Sequence, residues 1–225
     1  MRFVLKLSGE GLGTVPTEAR RIAIELVAAA AGGAGIAIVP GGGNRIRGKT
    51  VRPGTKERLA ADRSGMLATI ANARVLAEAI RKAGGRARVF SPAVALRGVL
   101  PYSPAKALRA LHNGNIAILA GGTGLPYFST DTAAVLRALE LGAWGVLKAT
   151  QVDGLYTADP KTNPRARRIP RISPSEALRR GLKALDLAAL GLASENSLPI
   201  RVFRLDKPGT LARALRGGDV GTLIA

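Results

Sequence analysis

Arg2-Phe3-Val4-Leu5-Lys6-Leu7-Ser8-Gly9-Glu10 is a short run of β-favouring residues that ends in a glycine turn, with a lysine placed directly before that turn. The same phrase recurs twice along the chain. Residues 35–39 run into Pro40-Gly41-Gly42-Gly43, and residues 116–120 run into Gly121-Gly122-Thr123-Gly124. Between and beyond these strands lie stretches with apolar residues at helical spacing: 17–31, with Thr17 as N-cap and Gly32-Gly33 as the stop, then 62–83, closed by Gly84-Gly85, 104–111 and 132–141. Further strands are predicted at 88–90, 144–147, 200–203 and 222–224, and further helices at 175–180, 186–194 and 209–215. Strand–helix alternation over the whole length predicts an α/β fold in one domain spanning 1–225, with a mostly parallel sheet and helices on both faces. Ligands of such folds bind at the carboxyl ends of the strands, where the glycine loops fall in this chain. Residues 157–173, rich in Pro and Arg and without a clear period, read as a mobile excursion.

Composition narrows the function classes. The apolar fraction of 47% is ordinary for a globular protein, and a chain this long can bury about 70% of its unfolded surface. It has no cysteine, which excludes a disulfide framework, a thiolate metal site and a cysteine nucleophile. The first residues do not form a signal peptide, and the longest apolar runs are far too short to cross a bilayer; a cytoplasmic protein without a membrane partner is expected. The net charge of +19 suggests nucleic acid. Only 4% of residues are aromatic, however, which leaves little to stack bases on, and no nucleic-acid-binding signature is present. An arginine-rich surface that attracts anionic substrates is the better reading, with no requirement for nucleic acid.

Glycines let backbone N–H groups approach an anion closely, and helix N-termini add a favourable dipole. Three such loops at one sheet edge suggest a ligand with several phosphates, with Lys6, Arg45 and Arg47 available to neutralise charge on a transferring phosphoryl group. Residues 43–50 also fit the pattern G-x-x-x-x-G-K-[ST] of a P-loop. A P-loop helix would run on at once, whereas Pro53-Gly54 interrupts this one, and no strand ending in a second-motif aspartate follows.

Taken together, LKLSGE (5–10), GGGNRIRG (41–48), GMLATIANA (65–73), GGTGLPYFSTDTAA (121–134), LKATQVDGLYTADP (147–160), LDLAALGLA (185–193) and LPIRVFRLDKPG (198–209) resemble the bacterial UMP kinases of the amino acid kinase family over nearly the full length. The resemblance implies a three-layer α/β/α sandwich, ATP with Mg²⁺ as donor, UMP as acceptor and a homohexamer. It also implies roles. Lys6, Leu7, Ser8, Gly9, Gly43 and Arg47 would surround the ATP phosphates, and Thr150, Tyr156 and Asp159 the adenosine. Gly42, Asp62, Thr123, Gly124, Leu125, Pro126, Tyr127, Phe128, Ser129 and Thr130 would hold UMP, with Asp62 on the ribose. Lys6 and Arg47 would stabilise the transferring phosphoryl group, and Asp131 and Asp186 would orient the lysine or the metal. On the residues alone, Asp131 and Asp186 can also be read as helix caps and Tyr156 as a core aromatic, and His112, which lies in no matched motif, reads as structural.

The chain departs from the family in places. Leu125 stands where asparagine is usual, and Gln151 where lysine is usual. The link over 11–16 is too short for the GFGI-like segment tied to GTP activation, so weak or absent activation by GTP is expected. The competing readings are a sister kinase acting on a small carboxylate or another phosphate, and a non-catalytic basic protein that binds nucleic acid.

Overall fold

Successive side chains of a strand point to opposite faces, and along Arg2–Leu7 the two faces meet different neighbours. Val4 packs into one buried cluster, Leu5 and Leu7 into another. This strand, β1, lies at the centre of the sheet in a computed structural model that describes residues 1–9, 16–43, 53–160, 162–182, 185–205 and 209–225. The other strands are β2 (Gly35–Pro40), β3 (Ala87–Ser91), β4 (Leu100–Pro101), β5 (Ile116–Leu119), β6 (Val146–Thr150), β7 (Leu155–Tyr156), β8 (Arg168–Ile169), β9 (Arg171–Ile172), β10 (Ile200–Arg204) and β11 (Thr222–Ile224). The helices are α1 (Pro16–Ala31), α2 (Lys56–Lys82), α3 (Pro104–His112), α4 (Thr130–Glu140), α5 (Pro174–Arg179), α6 (Leu187–Glu195) and α7 (Thr210–Leu215).

The main sheet has the order β4-β3-β5-β2-β1-β6-β10-β11-β9. Its pairings are parallel except for β10 with β11. Ile22, Leu26, Ile70, Leu76, Ile80 and Leu211 place α1, α2 and α7 on the Leu5 face, while Ala107, Ala134, Val135, Ala177 and Leu190 place α3, α4, α5 and α6 on the Val4 face. The expected α/β/α sandwich is therefore the observed one. Because Lys6 has the parity of Val4, its side chain leaves the sheet on the α4 face.

Several boundaries differ from expectation, each for a local reason. The long helix begins at Lys56, not at 62. Gly54 takes φ 79° to break the chain, and the Thr55 side chain caps the helix by accepting from the Arg58 amide at 3.2 Å. Asp62 consequently sits inside α2. The strand expected at 144–147 runs from Val146 to Thr150, with Lys148 inside it and Trp144 exposed outside it. Residues 157–173, read from the sequence as a mobile excursion without a clear period, include two short strands. They are β8, which pairs antiparallel with β7, and β9, which extends the main sheet beside β11. The short link at 11–15 and all of the P-loop-like match beyond Gly43, Arg45 and Arg47 included, lie outside the described residues.

Leu5 is fully buried in the central strand, between the sheet and α1/α2. Leu5→Ala should lower the unfolding free energy in urea by about 2–5 kcal/mol, the range for an aliphatic side chain removed from a core that cannot collapse around it. A loss below ~1 kcal/mol would show that the two faces of the sheet are not tightly packed.

Candidate active site

The carboxyl ends of β1, β2 and β5 bring the three glycine loops together. The first two touch: the Gly41 amide donates to the Leu7 carbonyl at 2.7 Å, and a Cβ on Gly41 would lie 2.8 Å from the Gly9 nitrogen. Only glycine permits that approach. Two buried polar side chains of α2 tie the other ends. The Asn72 amide donates to the Gly41 carbonyl at 2.7 Å. The Thr69 hydroxyl accepts from the Gly121 amide at 2.7 Å while donating to the Met66 carbonyl at 2.7 Å. Neither residue was singled out from the sequence, although two polar residues three apart on the buried side of a helix were a visible signal.

One cavity of about 370 Å³ is lined by Gly42, Gly43, Asp62, Thr123, Leu125, Tyr127, Phe128, Ser129 and Thr130, together with Arg58, Thr69 and Gly122. Most of the residues assigned to the acceptor thus meet in one place; Gly124 and Pro126 belong to the same loop but do not line the cavity. Asp62 is already engaged there. Its Oδ2 accepts from the Arg58 Nε at 2.9 Å and from the Tyr127 amide at 2.9 Å, and the Arg58 guanidinium lies 5.1 Å from the Tyr127 ring centre. Tyr127 holds φ 69°, an uncommon conformation for a residue with a Cβ.

A second cavity, of about 660 Å³, is lined by Thr150, Tyr156 and Asp159, with Lys148, Leu182 and Arg180. Tyr156 is half-buried and donates to Asp153 at 2.7 Å, a bond that raises its phenol above the ordinary value, so it is not a core aromatic. A third cavity, of about 510 Å³, is bordered by Asp131, Lys148 and Asp186.

Between these spaces lies a charge cluster. Lys6 and Lys148 are register partners on adjacent parallel strands, and both are 8% exposed. Lys6 is therefore buried. Both ammonium groups converge on Asp131 at the start of α4: the Lys6 Nζ lies 3.0 Å from Oδ1, and Lys148 donates to Oδ2. Burial pushes the Asp131 carboxyl up, but the two lysines outweigh it and hold it below the ordinary carboxylate range. Burial is also the largest influence on Lys148 and lowers it below the ordinary lysine value, against the pull of Asp131.

Asp131 is not the cap of its helix. Ser129 is, accepting from the Asp131 amide at 2.9 Å and the Thr132 amide at 3.2 Å while its own hydroxyl donates to Asp186. Asp186 caps α6 through the Ala189 amide at 2.9 Å and accepts from the Thr132 hydroxyl at 2.9 Å. It is thus both a cap and the anchor of the α4 start, and its charge acts on Lys148 through space. Lys148 itself was missed, although Val146-Leu147-Lys148 repeats Val4-Leu5-Lys6 in the neighbouring strand. His112 ends α3, at the opposite end of the strands from the glycine loops.

Comparison with known proteins matches this architecture. The model of the amino acid kinase family covers residues 1–204. The uridylate kinase of Bradyrhizobium sp. (strain BTAi1) is 46% identical over 230 aligned residues, covering all of this chain and 97% of the relative. That of Azorhizobium caulinodans is 47% identical with the same coverage. The crystal structure of UMP kinase from Bacillus anthracis superimposes with a TM-score of 0.92 at 35% identity, covering 99% of this chain and 95% of the other. Uridylate kinase from Archaeoglobus fulgidus superimposes with a TM-score of 0.76 at 29% identity, over the full length of both chains. On sequence and fold alike, the chain belongs to the amino acid kinase family.

Proposed function

We propose that this chain is a UMP kinase, transferring the γ-phosphoryl group of ATP to UMP to give UDP, the step that feeds UTP and CTP synthesis. The observation that carries the reading is the bridge between two cavities. Asp131 directly follows Thr130, which lines the smaller one; its partner Lys148 lines the larger one. A phosphoryl group passing from one to the other would meet two ammonium groups held by one carboxylate. The 46–47% identity to uridylate kinases assigns the acceptor.

The acceptor is already an anionic phosphate, so no side chain has to act as a strong base; positioning and charge stabilisation dominate. In this reading Lys6 and Lys148 stabilise the charge that spreads over the transferring oxygens. Leu7, Ser8, Gly9 and Gly43 frame the phosphates, Thr150, Tyr156 and Asp159 the adenosine. The residues of the smaller cavity hold UMP, and Asp62, which can accept several hydrogen bonds, takes a ribose hydroxyl. Arg47 is proposed as a further phosphate contact.

Among the described residues no three His, Cys, Asp or Glu side chains form a metal cage. Mg²⁺ is proposed to arrive on the nucleotide, since this ion prefers substrate phosphates and water to an all-protein site. Asp131 and Asp186 are the carboxylates that would hold its waters, and the ion would supply charge neutralisation on the nucleotide phosphates. The charge cluster also separates this reading from a non-catalytic basic protein, for which two buried lysines would have no use. No described helix is long and apolar enough to cross a membrane, and we place the enzyme in the cytoplasm. Leu67 and Val75 leave apolar side chains exposed two turns apart on α2, which supports self-association; the hexamer expected from the family is measurable by sedimentation.

A coupled ADP-release assay across UMP, CMP, dTMP, acetylglutamate and aspartate tests the reading. UMP should be turned over strongly and CMP weakly, because a site paired to one base edge leaves groups unpaired with the other. Comparable turnover of CMP, or of either carboxylate, contradicts it. Lys6→Ala should lower kcat by at least ~10²-fold, the scale for losing one aimed transition-state charge; near-wild-type turnover would remove Lys6 from the mechanism. Asp62→Asn should raise KM for UMP well above any change in KM for ATP, and equal effects on both would remove the ribose contact.

A further inference from the structure

Arg137 touches neither the charge cluster nor the larger cavity, yet it is one of few charged residues in the core. It lies two turns along α4 from Asp131 and is 4% exposed. One nitrogen donates to Glu140 at 2.7 Å, and Glu140 in turn accepts from the Tyr102 hydroxyl at 2.5 Å. The guanidinium stacks 4.0 Å from the Tyr102 ring centre. The remaining terminal nitrogen reaches the floor of the acceptor loop, donating to the Gly122 carbonyl at 3.2 Å and, more weakly, to the Thr123 carbonyl at 3.4 Å. Its Nε is buried with no hydrogen-bond partner. An unpaired buried donor is costly, and what holds the side chain in this orientation is its bonding to Glu140 on one side and to the Gly122 carbonyl on the other.

Peptide geometry gives that orientation a purpose. In a planar trans peptide the carbonyl of one residue and the N–H of the next point in opposite directions. Drawing the Gly122 carbonyl onto Arg137 therefore turns the Thr123 N–H away from Arg137, and Thr123 is one of the residues that line the acceptor cavity. The next amide, that of Gly124, is taken up inside the loop by the Gly121 carbonyl at 3.1 Å. We propose that Arg137 is a positioning residue for acceptor recognition: from beneath the loop it aims the Thr123 N–H at an acceptor atom of the nucleoside monophosphate. Because the same helix carries Asp131, the donor on the acceptor and the charge cluster keep a common rigid frame. The proposal rests on the UMP reading of the smaller cavity.

The test is steady-state kinetics of Arg137→Lys and Arg137→Met with UMP and ATP varied separately, alongside melting temperatures. A misaimed hydrogen bond corresponds to about a 10-fold loss of affinity. KM for UMP should rise by that factor or more in Arg137→Met, with KM for ATP within ~2-fold of wild type, and Arg137→Lys should recover part of the loss. If Arg137→Met does not fold, the same selective rise in Arg137→Lys carries the test. A parallel change in both KM values, or a lower melting temperature with KM for UMP unchanged, would mean that Arg137 is only structural and would overturn the proposal. The wild-type control separates the two claims. Unchanged acceptor KM in variants of an enzyme that turns over UMP sinks this proposal alone; a wild type without UMP turnover sinks both.

Discussion

Two lysines that are register partners on adjacent strands, both buried, repel each other and resist losing water. Strand spacing alone sets them about 5 Å apart at the backbone. A single carboxylate between them is the constraint on which the active edge depends. Asp131 answers both charges at once, and its lowered pKa is the electrostatic record of that. Breaking a buried pair by removing one member costs far more than the pair contributes. The position of Asp131 is therefore fixed as firmly as that of the strands, and the start of α4 with it.

The surrounding polar contacts hold the edge to that position. Asp186 grips the α4 start through Ser129 and Thr132, so the α6 cap and the α4 cap are one hydrogen-bonded unit. Thr69 and Asn72 fasten the β5 and β2 loops to α2. Asp62, on the same helix, reaches the Tyr127 amide and closes the acceptor loop from the far side. The β2 and β5 loops are therefore tied to helices packed on the sheet, the β1 loop is tied to the β2 loop through the Leu7 carbonyl, and the cavities lie between these ties. Glycines make the loops possible, and buried side chains on helices decide where the loops stop.

Much of the fold could be read from the residues. Strand-into-glycine phrases at β1, β2 and β5 revealed the parallel sheet and its active edge, and capping and breaker residues bounded most helices within a few positions. What escaped notice shares a physical cause: a charged residue was read by its usual environment. Lys148 ended a predicted strand too early because lysine rarely sits in one, and Asp131, near in space and distant in sequence, with Asp186 behind it, makes it tolerable there. Arg137 was invisible for the same reason. The α2 start was missed because the capping role of Thr55 depends on a turn at Gly54 that no apolar period marks. Short strands β8 and β9 are too brief for any pattern and exist only through partners elsewhere. The acceptor residues were named through the family resemblance, and their convergence on one cavity was beyond what spacing alone could supply.

If Asp131 is what keeps two like charges together beside the transferring phosphoryl group, then the kcat of Asp131→Asn is the decisive quantity. Asparagine keeps the shape and the cavity walls but removes the charge that holds Lys6 and Lys148. Turnover should fall by ~10²-fold or more, the scale of a lost electrostatic element, while KM for UMP and for ATP stays within a few-fold and the circular dichroism spectrum is unchanged below a lowered melting temperature. A folded Asp131→Asn enzyme with near-wild-type kcat would contradict the central role of the Lys6–Asp131–Lys148 cluster.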